Sequence, residues 1–261
     1  MQRSVNNLAG YTICAKDGEL GKVDEFYFDD ITWSIRYLVV KTGKWLSERK
    51  VLIPHAALGI TDWSSQTFHV NLTCEQVRNS PGIETEETIS HQHEIELFSH
   101  YFLPAYWGKG FYAGPIGMVP FASIVEKEIV KENVSSTGKH HRDSHLRSTE
   151  NVKTYYIHAK DGDIGHVEDY IVDDEKWSIC FFIVDTRHWL PGRKVILQPN
   201  WINNIDCDES RVYVKLSKKS IKDSPVFDQT EQIGKDYERE LYNHYKDEEI
   251  QDYKNGNLDC S

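Results

Sequence analysis

Histidine and glutamate recur at helical spacing near the end of each half of the chain. Glu96 and His100 stand four residues apart, and Glu240 and His244 repeat the pair. Residues four apart lie on one face of a helix, so each pair could supply two ligands to a metal ion. The same spacing more often gives only surface electrostatics. We therefore expect no metal site and keep these four residues as the metal candidates.

Other residue patterns do not indicate catalysis. The chain has no Gly-x-Ser-x-Gly elbow, phosphate-binding loop, His-Glu-x-x-His motif or dinucleotide fingerprint. The acidic pairs Asp29-Asp30 and Asp173-Asp174 follow strand patterns, where carboxylates usually cap turns. We therefore predict that the protein is not an enzyme and needs no cofactor.

The composition is acidic, which bears on the partners. The 261 residues include 41 Asp and Glu against 30 Lys and Arg, a formal charge of −11. Proteins that bind nucleic acid neutralise phosphates with a basic face, and anionic lipid headgroups also repel an acidic surface. We therefore expect a protein or a small molecule as partner, and neither nucleic acid nor direct membrane insertion.

Two further features favour a cytoplasmic protein. No stretch approaches the roughly 20 apolar residues that span a bilayer, and Met1 to Gly10 does not have the pattern of a signal sequence. The five cysteines are scattered and never form Cys-x-x-Cys, which favours reduced thiols. The chain is expected to work in the cytoplasm where it is made.

An internal repeat is the strongest pattern in the sequence. Short motifs return 144 positions later. The matching pairs are Ala15-Lys16-Asp17-Gly18 with Ala159-Lys160-Asp161-Gly162, Trp33-Ser34-Ile35 with Trp177-Ser178-Ile179, Trp45-Leu46 with Trp189-Leu190, and Arg49-Lys50-Val51 with Arg193-Lys194-Val195. Because the register holds without insertion from Tyr11 to Tyr101, the chain contains two copies of one domain, called here the first copy and the second copy.

Each copy begins with signals for β-strands. Asp17-Gly18 favours a tight hairpin turn. The next strand loses its strict alternation at Asp24-Glu25 and at the equivalent Glu168-Asp169, which predicts a β-bulge. Ser34 to Val40 is apolar on both faces, which predicts a central, buried strand. Short strands at this spacing indicate a small barrel or a curled antiparallel sheet.

Helices follow the strands in each copy. Thr73 and Gln76 fit a capping box that starts a short helix, and Ser80-Pro81 ends it. Apolar residues from Ile89 to Tyr101 recur near helical spacing, so a longer helix is expected to seal the barrel. The predicted fold class is mainly β with flanking helices: two tandem small β-barrels, each followed by a C-terminal helix.

The repeat sets the predicted domain boundaries. Residues 1–103 and 148–247 form the two domains, a connector occupies 104–147, and an acidic tail at 248–261 is expected to be disordered. Aromatic residues cluster in the first half of the connector, among Gly and Pro: Tyr106, Trp107, Phe111, Tyr112 and Phe121. A tether has no need of large apolar rings, so we expect a docking arm that buries them against a barrel of the same chain or of a neighbour.

The second copy carries a family resemblance. The run from Tyr155 to Asp169, followed by Asp173-Asp174 and Trp177-Ser178-Ile179, closely resembles PRC-barrel domain proteins. The run from Val184 to Val195 is similar to a bacterial group with two such domains in tandem. The resemblance covers about residues 4–101 and 147–245, although the first copy lacks the Pro-Gly that precedes Arg193 in the second.

The resemblance implies protein docking rather than bond-making chemistry. The family is known for the cytoplasmic domain of the photosynthetic reaction centre H subunit and for a domain of a ribosome maturation factor. This chain lacks the transmembrane helix of the former and the other domain of the latter. The resemblance thus implies a non-enzymatic protein-interaction or scaffold module, whose partner is another protein or a second copy, for example in a homodimer through the connector. A small-ligand or metal-responsive regulatory binding protein is the alternative.

Overall fold

The computed structural model describes residues 1–82, 89–103, 112–114, 117–119, 145–186, 194–227 and 233–256. The chain divides into two compact units. The first unit comprises Ala9–Tyr27 and Arg36–Arg147, and the second comprises Met1–Leu8, Phe28–Ile35 and Ser148–Ser261. The second unit therefore contains two short segments of the first copy, whereas the predicted boundaries followed the copies.

The described elements are mostly short strands. In chain order these are β1 (Gln2–Ser4), β2 (Thr12–Cys14), β3 (Glu19–Asp29), β4 (Ile35–Thr42), β5 (Lys50–Pro54), β6 (Leu58–Asp62), β7 (Thr67–Val70), β8 (Tyr112–Gly114), β9 (Gly117–Val119), β10 (Leu146–Ser148), β11 (Tyr156–Ala159), β12 (Gly162–Asp173), β13 (Ser178–Asp185), β14 (Lys194–Leu197), β15 (Ile202–Asp206) and β16 (Arg211–Val214). The α-helices are α1 (Val5–Leu8), α2 (Cys74–Arg78), α3 (His91–His100), α4 (Thr149–Lys153), α5 (Lys218–Asp223) and α6 (Lys235–Gly256). No helix among the described residues is both long and apolar enough to cross a membrane.

The two large sheets have the same strand order. One runs β5-β4-β3-β2-β7-β6 and the other β14-β13-β12-β11-β16-β15, and each has a seventh strand off this path. In both sheets, the strand that follows the first short helix pairs in parallel with the strand of this path that comes last along the chain. These pairs are β2 with β7 and β11 with β16. The mainly β fold with flanking helices is confirmed. Within the described residues no ladder joins the two end strands, so the predicted barrels are not closed by hydrogen bonds there.

The seventh strand of each sheet was not predicted, and it comes from the other copy. In the second unit, β1 pairs antiparallel with β12 and places Arg3 opposite Val172 and Ser4 opposite Ile171. In the other sheet, β10 pairs with β3. Residues 2–4 and 146–148 are equivalent in the repeat, so the exchange is reciprocal.

Both long strands carry the local features that bend a sheet. The register of β12 shifts between Val167 and Asp169, so Glu168 is the extra residue of a bulge at the predicted position. Gly165 has φ +151°, and a Cβ there would lie 1.9 Å from the carbonyl oxygen of Asp185. Gly21 has φ +153°, and a Cβ there would lie 2.2 Å from the carbonyl oxygen of Lys41. Only glycine fits at these equivalent positions.

The repeated Asp-Gly turn also anchors the short helix of each copy. The Asp17 carboxylate accepts the backbone N–H of Cys74 at the start of α2, and Asp161 accepts that of Lys218 at the start of α5, both at 2.7 Å. The capping box predicted at Thr73 is present, with reciprocal hydrogen bonds between its side chain and that of Gln76 and the backbone. Side chains of the hairpin therefore fix where each helix begins.

Aromatic side chains from both copies build the core of the second unit. The Phe182 ring lies 5.0 Å from that of Tyr170 and 5.6 Å from that of Trp33, measured between centroids. Phe28 completes the cluster at 5.9 Å from Tyr170. This explains why Phe28–Ile35, a segment of the first copy, belongs to the second unit: the Phe28 ring is buried there and the Trp33 ring is half-buried against Phe182.

The helices that follow the sheets bury one face, as predicted. Leu97 of α3, Tyr101 at the C-terminal cap of α3, and Leu241 and Tyr245 of α6 are buried. Helix α6 continues through Gly256, so residues 248–256, expected to be disordered, are helical. Four of these nine residues, Glu248, Glu249, Gln251 and Lys254, are of types with high helix propensity.

Candidate functional site

The histidines kept as metal candidates make equivalent contacts in the two units. Nε2 of His100 lies 2.7 Å from the carbonyl oxygen of Gln76, and Nε2 of His244 lies 2.8 Å from that of Ser220. A carbonyl oxygen only accepts, so each Nε2 is the protonated, donating nitrogen. Each histidine therefore ties the long helix to the short helix before it.

The glutamates of the two pairs point elsewhere. Glu96 and Glu240 are exposed, whereas the histidines are half-buried against the short helices. In the part of the chain that the structure describes, no three or more His, Cys, Asp or Glu side chains are arranged to hold a metal. With Nε2 engaged, only Nδ1 of each imidazole is left for a metal ligand bond.

The aromatic connector lies mostly outside the described residues. This holds for Tyr106, Trp107, Phe111 and Phe121. Tyr112 begins β8, which pairs antiparallel with β9 as a short hairpin. The docking arm stays a prediction.

The first aspartate of each acidic pair caps its strand turn, as predicted. The carboxylate of Asp29 accepts the backbone N–H groups of Ile31 and Thr32, and that of Asp173 accepts those of Glu175 and Lys176. The backbone hydrogen bond from Lys176 is the largest of the effects that lower the pKa of Asp173. These side chains stabilise the turns, which is the structural role expected for them.

A cluster of polar and aromatic side chains lies on one face of the second unit's sheet. Strand alternation buries Ile157, Val167 and Val212 on the inner face and leaves their neighbours outside. We call the outward residues of β11, β12 and β16 the outer patch: Tyr156, His158, Asp163, His166, Arg211 and Tyr213. The ladders place them side by side, with Tyr156 next to both His166 and Arg211.

Rings and ion pairs hold the outer patch together. Nδ1 of His158 lies 2.6 Å from a carboxylate oxygen of Asp163, to which it donates a hydrogen bond. The ring centroids of Tyr156 and His166 are 4.0 Å apart, and those of His158 and Tyr213 are 5.4 Å apart. Because Nδ1 carries the proton, Nε2 of His158 is the nitrogen that can accept a hydrogen bond.

Arg211 adds a permanent positive charge to the patch. Its guanidinium lies 4.0 Å from Asp163 and 3.7 Å from Glu209. The Arg211 pKa is raised by a hydrogen bond to Tyr213 and by the charge of Asp163. The hydroxyl of Tyr213 also donates to Glu209, which raises the pKa of Tyr213. These ion pairs and hydrogen bonds thus orient the charged groups of the patch relative to one another.

The equivalent face of the first unit has different chemistry. Its outward residues, in the same order, are Thr12, Cys14, Glu19, Lys22, Thr67 and His69. Tyr156 and Arg211 are each replaced there by threonine, His158 by cysteine and His166 by lysine, whereas an imidazole, that of His69, stands in place of the Tyr213 ring. The inner faces of both sheets remain apolar, with Ile13 and Phe68 buried in the first unit. The copies therefore share their core and differ on this surface.

Sequence reasoning missed the outer patch, although a signal was present. Tyr156 and His158 alternate with the apolar Ile157 and Ala159, which is the period of a half-buried strand. Aligning the copies at their offset of 144 would have shown that outward positions change while inward positions stay apolar. The repeat identifies the positions that the two copies share, whereas the outer patch lies at positions where they differ.

A family model matches the beginning of the chain. Residues 1–71 match the PRC-barrel domain, a stretch that runs from β1 through β7. This match confirms the resemblance to PRC-barrel domains over the first copy. The second copy repeats the strand order of the first, so the tandem arrangement is compatible with the structure. No curated protein matches the chain significantly.

Proposed function

We propose that the protein is a non-enzymatic interaction module of the PRC-barrel kind, which docks a protein partner on the outer patch of its second unit. The observation that carries this proposal is the difference between the two copies: the core positions keep their apolar character, while one sheet face of the second copy has gained Tyr, His and Arg. A surface that serves only to face water has no need of such side chains.

The chemistry of the patch suits protein recognition. Tyr and Arg are enriched among the residues that carry most of the binding free energy at interfaces, because they combine large contact area with directed hydrogen bonds. Tyr156 is 49% exposed, so its ring is available to a partner while its other side contacts His166. The network of Asp163, Arg211 and Glu209 fixes the side chains in advance, which lowers the entropy lost on binding.

The proposal includes a location and excludes some partners. We place the protein in the bacterial cytoplasm, and its formal charge of −11 disfavours nucleic acid and anionic lipid as partners. The alternative, a small-ligand or metal-responsive regulatory protein, differs in what it retains. Native mass spectrometry of untagged protein would then show an additional mass that survives purification.

Matched variants in the two units test the proposal. The full chain is used to capture partners from the cells that make it, and the captured proteins are quantified by mass spectrometry. Tyr156→Ala with Arg211→Ala should lower the yield of a specific partner at least tenfold. Thr12→Ala with Thr67→Ala, the equivalent change in the first unit, should leave it unchanged. Equal yields from both double variants would contradict the outer patch as docking surface.

A further inference from the structure

The N-terminal segment Gln2–Leu8 occupies an acceptor site in the second unit. Its strand β1 forms a three-residue antiparallel ladder with the end of β12, from Gln2 opposite Asp173 to Ser4 opposite Ile171. The short helix α1 follows directly, and it buries Val5 and Leu8. The segment contributes one strand and two apolar side chains to a unit whose other residues are Phe28–Ile35 and Ser148–Ser261.

Two aspartates of the acceptor site recognise the segment by its side chains. Asp169, at the bulge of β12, accepts hydrogen bonds from the Ser4 hydroxyl and from the Asn6 backbone N–H, the latter at 3.0 Å. Asp174 lies 2.5 Å from Nε of Arg3. Asp169 is only 6% exposed with the segment in place, and besides the Tyr170 backbone N–H these are the donors that satisfy its carboxylate. The site therefore favours occupation by an Arg-Ser segment.

The repeat shows that such a segment is used twice. Arg147 and Ser148 stand at the positions of Arg3 and Ser4, and the strand that contains them pairs with β3 in the other sheet. Each sheet is thus completed by the Arg-Ser strand of the other copy. A sheet that is completed by a strand from elsewhere in the sequence accepts the same strand from another molecule with the same contacts.

We propose that the acceptor site formed by Asp169, Asp174 and β12 also takes up residues 2–8 of a second chain, so that the protein dimerises by strand exchange. The boundary between this segment and the first unit lies between Leu8 and Ala9. Gly10 follows at φ +85°. Glycine adopts this positive φ without strain, and its backbone N–H donates to the carbonyl oxygen of Val23 at 2.8 Å. The partner is a second copy of this chain.

Two complementary full-length variants test the exchange. The acceptor variant carries Asp169→Ala and Asp174→Ala and keeps its own N-terminal segment. The donor variant carries Ser4→Ala and Val5→Asp and keeps its acceptor site. Only in a mixture does an intact segment meet an intact site. Native mass spectrometry of the mixture should show a heterodimer at least ten times more abundant than the dimer of either variant alone. A mixture with no more dimer than its components overturns the proposal.

A peptide measurement keeps the test decisive if the acceptor variant fails to fold. A labelled peptide of residues 2–9 is titrated against the donor variant and followed by fluorescence anisotropy, after cooperative melting has shown that this chain is folded. Saturable binding is expected, and a peptide with Arg3→Ala and Ser4→Ala should bind at least tenfold more weakly. If the donor variant does not melt cooperatively, Ser4→Ala alone replaces it. Absence of saturable binding, or equal binding of the two peptides, overturns the proposal.

Discussion

Tyr156 and Arg211 of the second unit stand where the first unit has Thr12 and Thr67, on strands of the same order in both sheets. The inner faces of these strands have kept their apolar residues. The scaffold is therefore maintained by packing that both copies need, whereas the outer face is released from that constraint. This difference is the basis of our proposal that the copies have divided their work, in which both build a sheet and the second copy presents the interaction surface.

The largest expected effect tests which core each ring belongs to. Phe26 and Phe28 both lie on β3, but Phe26 belongs to the first unit and Phe28 to the second. Phe28→Ala should lower the free energy of unfolding by about 3–5 kcal/mol. Amide exchange should increase mainly in β12 and β13. Phe26→Ala serves as the control and should instead increase exchange in the strands of the first unit. The same exchange pattern for both variants would contradict the division into units.

The two glycines under close backbone contacts should behave alike, because they belong to the shared scaffold. Gly165→Ala and Gly21→Ala each force a Cβ against a carbonyl oxygen at a positive φ. We expect each to lower the free energy of unfolding by about 1–3 kcal/mol, measured by urea denaturation. A variant that melts like the unmodified chain would show that the backbone at that position moves freely.

The pH dependence of stability should differ between the two equivalent buried acids, Asp169 and Glu25. Burial raises the pKa of Asp169 above its ordinary 3.8, against the hydrogen bonds it accepts. The folded state therefore holds this proton more tightly than the unfolded state, and its contribution to stability is lost as pH rises from 3.8 through the raised pKa. Each unit of difference corresponds to about 1.4 kcal/mol.

Neutral substitutions of Asp169 and Glu25 reveal this difference in pH dependence. Asp169→Asn should become more stable relative to the unmodified chain as pH rises through this window, as measured by urea denaturation at several pH values. Glu25, at the equivalent position, lies 3.5 Å from the Lys50 ammonium, so Glu25→Gln should remove an ion pair and give no such gain. Parallel curves of stability against pH for Asp169→Asn and the unmodified chain would contradict the account of Asp169.

The smallest effect concerns the helix histidines. His100→Ala and His244→Ala each remove one hydrogen bond to a carbonyl, which should cost about 0.5–1.5 kcal/mol of folding stability. Thermal melting with and without added zinc separates the structural role from a metal site. Zinc should leave the melting temperature unchanged. A rise that disappears in either variant would identify a metal ligand.

Much of the fold could be predicted because its signals are local. The bulge beside Asp169, the capping box at Thr73 and the apolar face that ends in Tyr101 each depend on residues close together in sequence. The repeat provides a second set of local signals for the same order of strands and helices. The pattern of polar and apolar residues around each of these features is therefore sufficient to predict it.

The strand exchange could not be predicted from the same signals. Residues 2–4 and 146–148 are equivalent, so each strand fits the acceptor site of either copy, and the pattern within one copy does not say which site it fills. The boundary at Phe28 was missed for a related reason: a buried ring has the same pattern in either core. The outer patch, by contrast, depends on ladder neighbours such as Tyr156 and Arg211, which are distant in sequence.

The most direct test of the division of work is a footprint of the protein with its captured partner. Amide exchange is measured in the free chain and in the complex, and the two units are compared strand by strand. We expect protection in β11, in the first half of β12 and in β16, with the equivalent strands β2, β3 and β7 unchanged. Protection confined to β2, β3 and β7, or equal in both sets, would contradict the assignment of the docking surface to the second unit.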